Sequence, residues 1–536
     1  MKKPGGVTAS AILSVIFFLV LFYVPFLNKA VHIDDGTLLE MSKAFDFSLS
    51  VKPGYVAYWM GNKTLNYYPF NATHPPLIPY YLKMAGLLTG EREEYLLHAC
   101  FLIFPALLLL ATYLLADELR IPPLPALLAV CANAAILPIG HTFMADVPML
   151  SLWMIGAYLL VSGMKRTSPG RTALSFAVMS VAGLISYQTF LLLPAFFLFV
   201  ALRKKTGLSM LPVFLLPLLA IGLFLVYASS RYSSPFSGTL GEISGGLRPD
   251  RLFNKGMSIP LYLGLAMLFI LPLRYREIAS SKKKTFAAAA AVLLAVPPVL
   301  SLAYPFWSSL WLMLLVSVGL FSIVYAAHIA LVEFDDRPLG FFLIAWTLIV
   351  IAYNLFVLPF GSVRYIMPAV PPMVFLFMNK TSGKRALMVS GVLTALLGLA
   401  VAYGDYLYAS SYRDFSAQVR NAVGPEKGRV WYIGEWGMHY YMQKEGFRYL
   451  TADSNEPGLG DLIMIADIPK LWSPSPLLYR RIELIDVVEM NSGYPLRLMG
   501  LGIKAGYYSS LWGYKPFTVS RLPVERFGVF RVYRNP

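Results

Sequence analysis

Residues 7–27 read VTASAILSVIFFLVLFYVPFL, an apolar run long enough to cross a hydrocarbon core about 30 Å thick. Lys2 and Lys3 precede this run, as basic residues also precede the apolar part of a signal peptide. The run is longer than that part usually is, and residues 26–30 form a poor cleavage site. We therefore predict that it is retained as the first membrane-spanning helix.

The whole chain has the composition of a multi-pass membrane protein. Of its 536 residues, 57% are hydrophobic and only 14% are charged, and the mean hydropathy is +0.61, which excludes an ordinary soluble protein. The apolar residues come in long blocks, from which we predict about thirteen spans. After residues 7–27, the predicted spans are residues 96–115, 124–140, 147–163, 172–187, 189–202, 210–229, 258–273, 285–303, 306–326, 340–359, 365–379 and 386–404.

The distribution of basic residues predicts the orientation of these spans. An odd number of spans places the two termini on opposite sides of the membrane. Lys/Arg clusters, such as those at 203–205 and 282–284, fall on the side of the N-terminus, whereas the turns at 141–146 and 186–189 on the other side have none. The positive-inside rule thus predicts a cytoplasmic N-terminus and an extracytoplasmic C-terminus at the cytoplasmic membrane.

The net charge of +16 and the two cysteines bear on which partners and metal sites the protein is expected to have. Most of the basic excess lies in membrane-flanking loops, where orientation and anionic lipid explain it, so no nucleic-acid partner is expected. Cys100 and Cys131 both lie in predicted spans. We therefore expect no disulfide in the exterior part and no cysteine-based metal site.

The chain divides into two predicted domains. Residues 1–404 form an all-α polytopic membrane module with two long outward loops, 28–95 and 230–257. The second loop is rich in Ser, Gly, Pro and Arg, and it is either a lid over an anionic substrate or a linker. In residues 405–536 the apolar blocks stop and strand-like runs alternate with a short helical pattern, which predicts an outward-facing soluble domain of α/β or α+β type.

Two adjacent acids follow the first span, in the sequence His32-Ile-Asp34-Asp35-Gly-Thr. A carboxylate at this position can take a proton from a hydroxyl nucleophile, and a like-charged neighbour with partial burial raises its pKa toward that task. The alternative is that one of the two acids caps the short surface helix that follows, where Thr37 and Glu40 have capping-box spacing. The sequence leaves both readings open.

Three further residues are candidates for the same site. Asp146 opens a span with Pro148 in its first turn, so it is either a helix cap or a group on the same membrane face as Asp34. His74 precedes Pro75 and is either a phosphate ligand or incidental. Arg364 is the only charge in its short outward turn and needs an anionic partner, which could be a lipid phosphate, a headgroup or Asp146.

Taken in order, these motifs resemble the GT-C membrane glycosyltransferases. The acid pair is followed by Pro-Pro-Leu at 75–77, Asp-x-Pro at 146–148 and Arg-Tyr-x-x-Pro at 364–368. Within that family, the order of these motifs is similar to that of the branch that contains the protein O-mannosyltransferases and the aminoarabinose transferases of lipid A. The resemblance covers residues 1–404, and it extends to residues 405–536 only in general character.

The resemblance implies a GT-C fold and inverting transfer of a sugar from a polyprenyl-phosphate donor to an acceptor on the outer face of the membrane. By position, Asp34 would be the general base, and Asp35 would support it or position the sugar. Asp146 would line the same cavity, and Arg364 would neutralise the departing lipid phosphate. The implied partners are the donor, membrane lipids and an acceptor that is a glycan, a lipid or a protein.

Two departures limit what the resemblance implies. Thr73-His74 stands where the aminoarabinose transferases have Glu-Lys, so a phosphate contact from His74 would depend on pH. The missing Glu removes a metal ligand, so no zinc site is implied; a divalent metal stays open, and no cofactor is certain. The alternatives are a transporter or flippase of lipid-linked saccharides, against which the few ionisable residues in the spans count, and a non-catalytic scaffold.

Overall fold

A computed structural model of the chain describes residues 8–45, 56–65, 75–90, 94–203, 211–231, 245–274, 306–381, 383–424 and 426–534. Helices dominate residues up to 423, and most of the strands follow. The helices are α1 Ala9–Phe22, α2 Asp35–Ala44, α3 Leu77–Thr89, α4 Glu94–Phe101, α5 Ile103–Glu118, α6 Pro123–Cys131, α7 Asp146–Lys165, α8 Pro169–Gly183, α9 Thr189–Arg203, α10 Leu211–Arg231, α11 Pro249–Met267, α12 Phe306–His328, α13 Arg337–Phe356, α14 Val363–Ile366, α15 Val370–Met378, α16 Lys384–Val423, α17 Trp436–Lys444 and α18 Pro476–Tyr479.

The helical part is a multi-pass membrane bundle, as the apolar blocks predict. Within the residues that the structure describes, seven helical segments are long and apolar enough to cross a membrane: Ala9–Phe26, Glu94–Glu118, Asp146–Lys165, Val213–Ser230, Leu310–Glu333, Arg337–Phe356 and Lys384–Val423. Shorter apolar helical segments are Thr189–Arg203 and Val363–Met378. The predicted span 285–303 lies outside the described residues.

Two of the predicted boundaries differ from the structure. The span predicted at 124–140 is a helix only over Pro123–Cys131, because the side chain of Asn133 bonds to Ala129 and Ala266 and accepts from the backbone of Ala135. The loop predicted at 230–257 already contains the start of α11 at Pro249, which takes the first-turn position that proline favours.

Two helices of the bundle cross with their backbones in contact. A Cβ atom placed on Gly264 of α11 would lie 1.9 Å from the carbonyl oxygen of Leu315 on α12. A Cβ on Gly319 of α12 would lie 1.9 Å from the carbonyl oxygen of Pro260 on α11. Only glycine fits at both positions, and this close approach is the packing that small residues allow between membrane helices.

Residues after α16 form a domain with a mixed sheet. Two strands precede α16 in the chain: β1 Val56–Trp59 and β2 Asn62–Leu65. The strands that follow α16 are β3 Val430–Ile433, β4 Arg448–Tyr449, β5 Leu462–Ala466, β6 Ile482–Met490, β7 Leu496–Arg497, β8 Met499–Gly500, β9 Ala505–Gly506, β10 Thr518–Val519 and β11 Glu525–Val532. The main sheet has the order β4-β3-β5-β11-β6. Strand β3 is parallel to its neighbours, and β11 is antiparallel to β5 and β6. The predicted fold class, a helical membrane protein with a C-terminal domain that combines helices and strands, is confirmed.

The long helix α16 joins the bundle to this sheet. It continues past residue 404, the predicted end of the membrane module, and ends at Val423. Beyond the apolar part, Phe415 on this helix stacks on Phe527 of β11 with ring centroids 3.7 Å apart. The C-terminal domain therefore packs on a direct extension of a membrane helix, and the division of the chain at residue 404 stays a prediction.

The helix crossing gives a first testable prediction. Gly264→Ala should lower the free energy of unfolding by about 1–3 kcal/mol, because the added methyl group must push two backbones apart. Thermal unfolding of the protein in detergent measures the effect. Gly256→Ala on the same helix is the matched control: no atom lies within 4 Å of its Cβ position, and it should be neutral or slightly stabilising. Equal stability of the two variants would contradict the close crossing.

Candidate active site

Asp34 lies between the first helix and α2, at the end of the bundle that carries the C-terminal domain. It is the residue before α2, but its side chain makes no capping hydrogen bond. Instead, its Oδ2 accepts a hydrogen bond from Nη1 of Arg364 at 2.5 Å. The Asp34 side chain is one-third exposed. Its carboxylate is thus accessible and paired with a cation rather than used to end the helix.

Arg364, the cation of this pair, is the second residue of the short helix α14. Its Nη1 also contacts the sulfur of Met144 at 2.9 Å, and its Nη2 donates to the hydroxyl of Tyr365 at 2.9 Å. The guanidinium carbon lies 4.8 Å from the centre of the Tyr365 ring. Its Nε is buried and, among the residues described, has no hydrogen-bond acceptor. A buried guanidinium with an unused donor is suited to binding a further anion.

Asp35 has a different environment from its neighbour. It is fully buried; its Oδ1 accepts from the backbone N–H of Phe143 at 2.7 Å, and its Oδ2 from that of His32 at 3.3 Å. Burial raises the pKa of Asp35 from 3.8 to about 7, and the charge of Lys29 opposes this rise. Asp35 therefore fixes the segment that carries Asp34 to the segment before α7.

Asp146 completes the group. It is the first residue of α7 and is 4% exposed. It lies close enough to Arg364 and to Asp34 to interact electrostatically with both. The fold therefore brings Asp34, Asp146 and Arg364 together, although 330 residues separate Asp34 from Arg364.

His74, the remaining predicted site residue, lies outside the described residues. Within the described ranges, no group of three or more His, Cys, Asp or Glu side chains is placed to hold a metal ion. Asp34 and Arg364 can supply a proton acceptor and an anion-binding group side by side. The roles assigned to them from the sequence stay predictions.

Several residues of the site neighbourhood were missed by sequence reasoning. Tyr365 and Met144 contact Arg364, and their positions next to predicted site residues are the only signal that could have indicated them. Lys29 was also missed, although a basic residue at the non-basic end of the first span is unusual for the predicted orientation. Glu435, to which no role was assigned, accepts hydrogen bonds from Met60 N–H at 2.7 Å and from the Tyr449 hydroxyl at 2.8 Å.

These features define a class of protein: a multi-pass membrane protein with a C-terminal mixed α and β domain and an acid–arginine site at their junction. Residues 73–230 match the family model described as dolichyl-phosphate-mannose-protein mannosyltransferase. The matched range includes Asp146 but not Asp34 or Arg364. This match confirms the resemblance to the GT-C membrane glycosyltransferases. Among curated protein sequences, none matches the chain significantly.

Solved structures with a similar fold have low sequence identity to this chain. ArnT from Cupriavidus metallidurans, solved with undecaprenyl phosphate, is 12% identical with a TM-score of 0.43, over 90% of this chain and 97% of that one. An oligosaccharyltransferase from Archaeoglobus fulgidus is 15% identical with a TM-score of 0.46, over 84% of this chain and 64% of that one. The arabinofuranosyltransferase AftD from Mycobacteria is 10% identical with a TM-score of 0.45, over 100% of this chain and 41% of that one.

The buried acid gives a second prediction, on pH. Because the folded-state pKa of Asp35 is raised to about 7, the folded protein keeps a proton that the unfolded chain loses near pH 3.8. The resulting stabilisation is complete below that pH and is lost as the pH rises through about 7. Thermal stability should therefore fall between about pH 4 and 7, and Asp35→Asn should reduce that fall.

In Asp35→Asn, the slope of thermal stability against pH should be reduced rather than abolished. Burial also raises the pKa of Glu435 to about 7 and that of Glu525 to about 8, so both contribute in the same direction. Asp250→Asn, which removes an exposed carboxylate on α11, is the control and should leave the slope unchanged. An Asp35→Asn variant with the wild-type slope would show that Asp35 is charged in the folded protein.

Proposed function

We propose that the protein is an inverting glycosyltransferase of the cytoplasmic membrane that moves a sugar from a polyprenyl-phosphate donor to an acceptor on the outer face. The acceptor is a glycan, a lipid or a protein. The N-terminus lies in the cytoplasm, and the C-terminal domain lies outside. The family match over residues 73–230 supports both the reaction class and the donor class, because the description of that family names a mannosyltransferase and a dolichyl-phosphate sugar.

The observation that carries the proposal is the contact between Asp34 and Arg364. A general base and an anion-binding cation are the two groups that sugar transfer from a lipid phosphate needs, and these two side chains lie 2.5 Å apart. Asp34 is accessible, whereas Arg364 is buried and retains an unused Nε donor. A donor phosphate can therefore approach Arg364 while an acceptor hydroxyl approaches Asp34.

In the proposed reaction, the acceptor oxygen attacks the anomeric carbon of the donor sugar from the side opposite the phosphate. The bond between that carbon and the phosphate oxygen breaks, its electron pair leaves with the lipid phosphate, and the configuration inverts. The proton of the acceptor hydroxyl passes to the carboxylate of Asp34. Arg364 stabilises the charge that develops on the leaving phosphate, and Asp146 helps to orient the guanidinium.

The ion pair also implies an order of events. While Arg364 is paired with Asp34, one carboxylate oxygen is occupied and the base is only partly available. A phosphate at Arg364 competes for the guanidinium and releases Asp34. Donor binding would then prepare the base for the acceptor, so that Asp34 is free only when there is a sugar to transfer.

The test is transfer of radiolabelled sugar from polyprenyl-phosphate donors in proteoliposomes. Asp34→Asn should lower kcat by about 100-fold or more, because an amide cannot accept the proton, and it should retain donor binding. Arg364→Gln should raise the KM for the donor and also lower kcat. Asp414→Asn, which removes an exposed carboxylate on α16, is the control and should keep wild-type activity.

Two results would contradict the proposal. Full activity of a folded Asp34→Asn variant would exclude Asp34 as the base and direct attention to Asp35 or Asp146. Movement of the donor lipid across the bilayer by the intact chain, without transfer of its sugar, would favour a transporter or flippase instead.

A further inference from the structure

The two halves of the Asp34–Arg364 pair are each fixed by a different segment of the C-terminal domain. The segment that carries Asp34, residues 28–36, lies under helix α17. The segment that leads to Arg364, residues 361–363, lies against residues 507–512, which we call the C-terminal insert. These contacts are made to the backbone of the two segments, so they determine where the Asp34 and Arg364 side chains begin.

Helix α17 packs tightly on the segment that carries Asp34. The Tyr441 hydroxyl accepts a hydrogen bond from the backbone N–H of Val31 at 2.8 Å. A Cβ placed on Gly437 would lie 2.7 Å from the carbonyl oxygen of Val31, and one on Gly36 would lie 3.3 Å from Cβ of Tyr440. Since no side chain fits between them, a shift of α17 must also shift the backbone next to Asp34.

The C-terminal insert is hydrogen-bonded to the segment before Arg364. Ser510 N–H donates to the carbonyl of Gly361 at 2.7 Å, and Gly361 N–H donates back to the Ser510 hydroxyl at 2.9 Å. Val363 N–H donates to the carbonyl of Tyr507 at 2.9 Å. Three hydrogen bonds thus join the insert to the residues immediately before Arg364.

Helix α17 and the C-terminal insert meet at two indole rings. Trp436, the first residue of α17, and Trp512 of the insert have ring centroids 5.3 Å apart. Trp436 is 9% exposed and has a φ of +58°, a left-handed conformation that is strained for a bulky residue and persists only where its surroundings hold it. The Trp512 indole N–H donates to the carbonyl of Ile468 at 3.1 Å, which fixes its ring.

We propose that Trp436 and Trp512 are positioning residues whose contact sets the separation of Asp34 and Arg364. The chain of contacts runs from Asp34 through Gly36 and α17 to Trp436, then through Trp512 and Ser510 to Gly361 and Arg364. Loss of the indole contact lets α17 and the insert move apart, and the ion pair lengthens. The inference rests on the proposed function in that it treats this pair as the reacting site.

The chain contains a matched control for this contact. Trp472 is also a partly exposed tryptophan of the C-terminal domain; its indole N–H donates to the carbonyl of Leu450 at 3.2 Å, and its ring lies 5.1 Å from that of Tyr449. A Cβ placed on Gly61 of the β1–β2 turn would lie 2.8 Å from its ring, and among the described residues no hydrogen bond or ring contact joins Trp472 itself to α17 or the insert. Its removal should cost similar packing without acting on the acid–arginine pair.

The experiment is carbodiimide labelling of Asp34, quantified by mass spectrometry on the full chain in nanodiscs and compared with labelling of exposed Asp250. The guanidinium covers an oxygen of Asp34, so the intact pair should label slowly. Trp512→Ala should raise the labelling rate of Asp34 several-fold, Trp512→Phe should restore most of the protection, and Trp472→Ala should leave the rate unchanged. In the transfer assay, Trp512→Ala should lower kcat with little change in the donor KM.

A folded Trp512→Ala variant that labels Asp34 at the wild-type rate would overturn the inference, as would equal increases in Trp512→Ala and Trp472→Ala. If Trp512→Ala does not fold, the comparison of Trp512→Leu with Trp472→Leu decides, since each keeps most of the apolar volume but removes the ring: only Trp512→Leu should raise the labelling rate of Asp34, and equal rates would overturn the inference. The labelling does not need turnover. Absence of sugar transfer would therefore overturn the proposed function, while the labelling would still decide the role of the two tryptophans.

Discussion

A buried ion pair between Lys29 and Asp405 holds the junction of the bundle and the C-terminal domain together. The Lys29 Nζ lies 2.5 Å from Oδ2 of Asp405, and both side chains are at most 1% exposed. The Tyr508 hydroxyl donates to the same oxygen at 2.8 Å, and Lys29 also donates to the carbonyl of Pro138 at 3.2 Å. Removal of one partner from such a pair typically costs about 3–5 kcal/mol, because it leaves an uncompensated buried charge.

This pair anchors the start of the segment that carries the acids. Lys29 comes five residues before Asp34, Asp405 is on α16, and Tyr508 belongs to the C-terminal insert, so one ion pair joins three parts of the chain at the site. His32, between Lys29 and Asp34, is fully buried against the rings of Tyr408 and Tyr508. The segment is therefore anchored at Lys29 and His32, and Asp34, which is one-third exposed, lies beyond these two anchors.

Much of the fold could be predicted from the sequence because a membrane helix is recognised by a contiguous block of apolar residues, which is a local property of the chain. A helix lies in each predicted span that the structure describes, and strands lie within residues 405–536, where strand-like runs were expected. The early end of α6 was missed, because the Asn133 side chain competes with the backbone of the helix, and hydropathy does not register one polar residue in an apolar block.

The candidate site was predicted as a set of residues but not as a set of contacts. Position in the chain indicated that Asp34, Asp146 and Arg364 share one membrane face. It offered Asp146 as the protein partner of Arg364, whereas the carboxylate hydrogen-bonded to the guanidinium is that of Asp34. Position also could not separate Asp35, whose two oxygens accept hydrogen bonds from backbone N–H groups, from its partly exposed neighbour Asp34. These distinctions depend on contacts such as Lys29–Asp405, which join residues 376 positions apart. No local pattern records such contacts.

The most direct test of the account is a cryo-electron microscopy structure of the protein in nanodiscs with a polyprenyl phosphate. The account predicts that the phosphate lies within hydrogen-bond distance of the Arg364 guanidinium, and that the Asp34 carboxylate has moved away from Nη1 while residues 29–32 stay in place. A phosphate bound elsewhere, with the Asp34–Arg364 pair still closed, would contradict the claim that this pair is the site of sugar transfer.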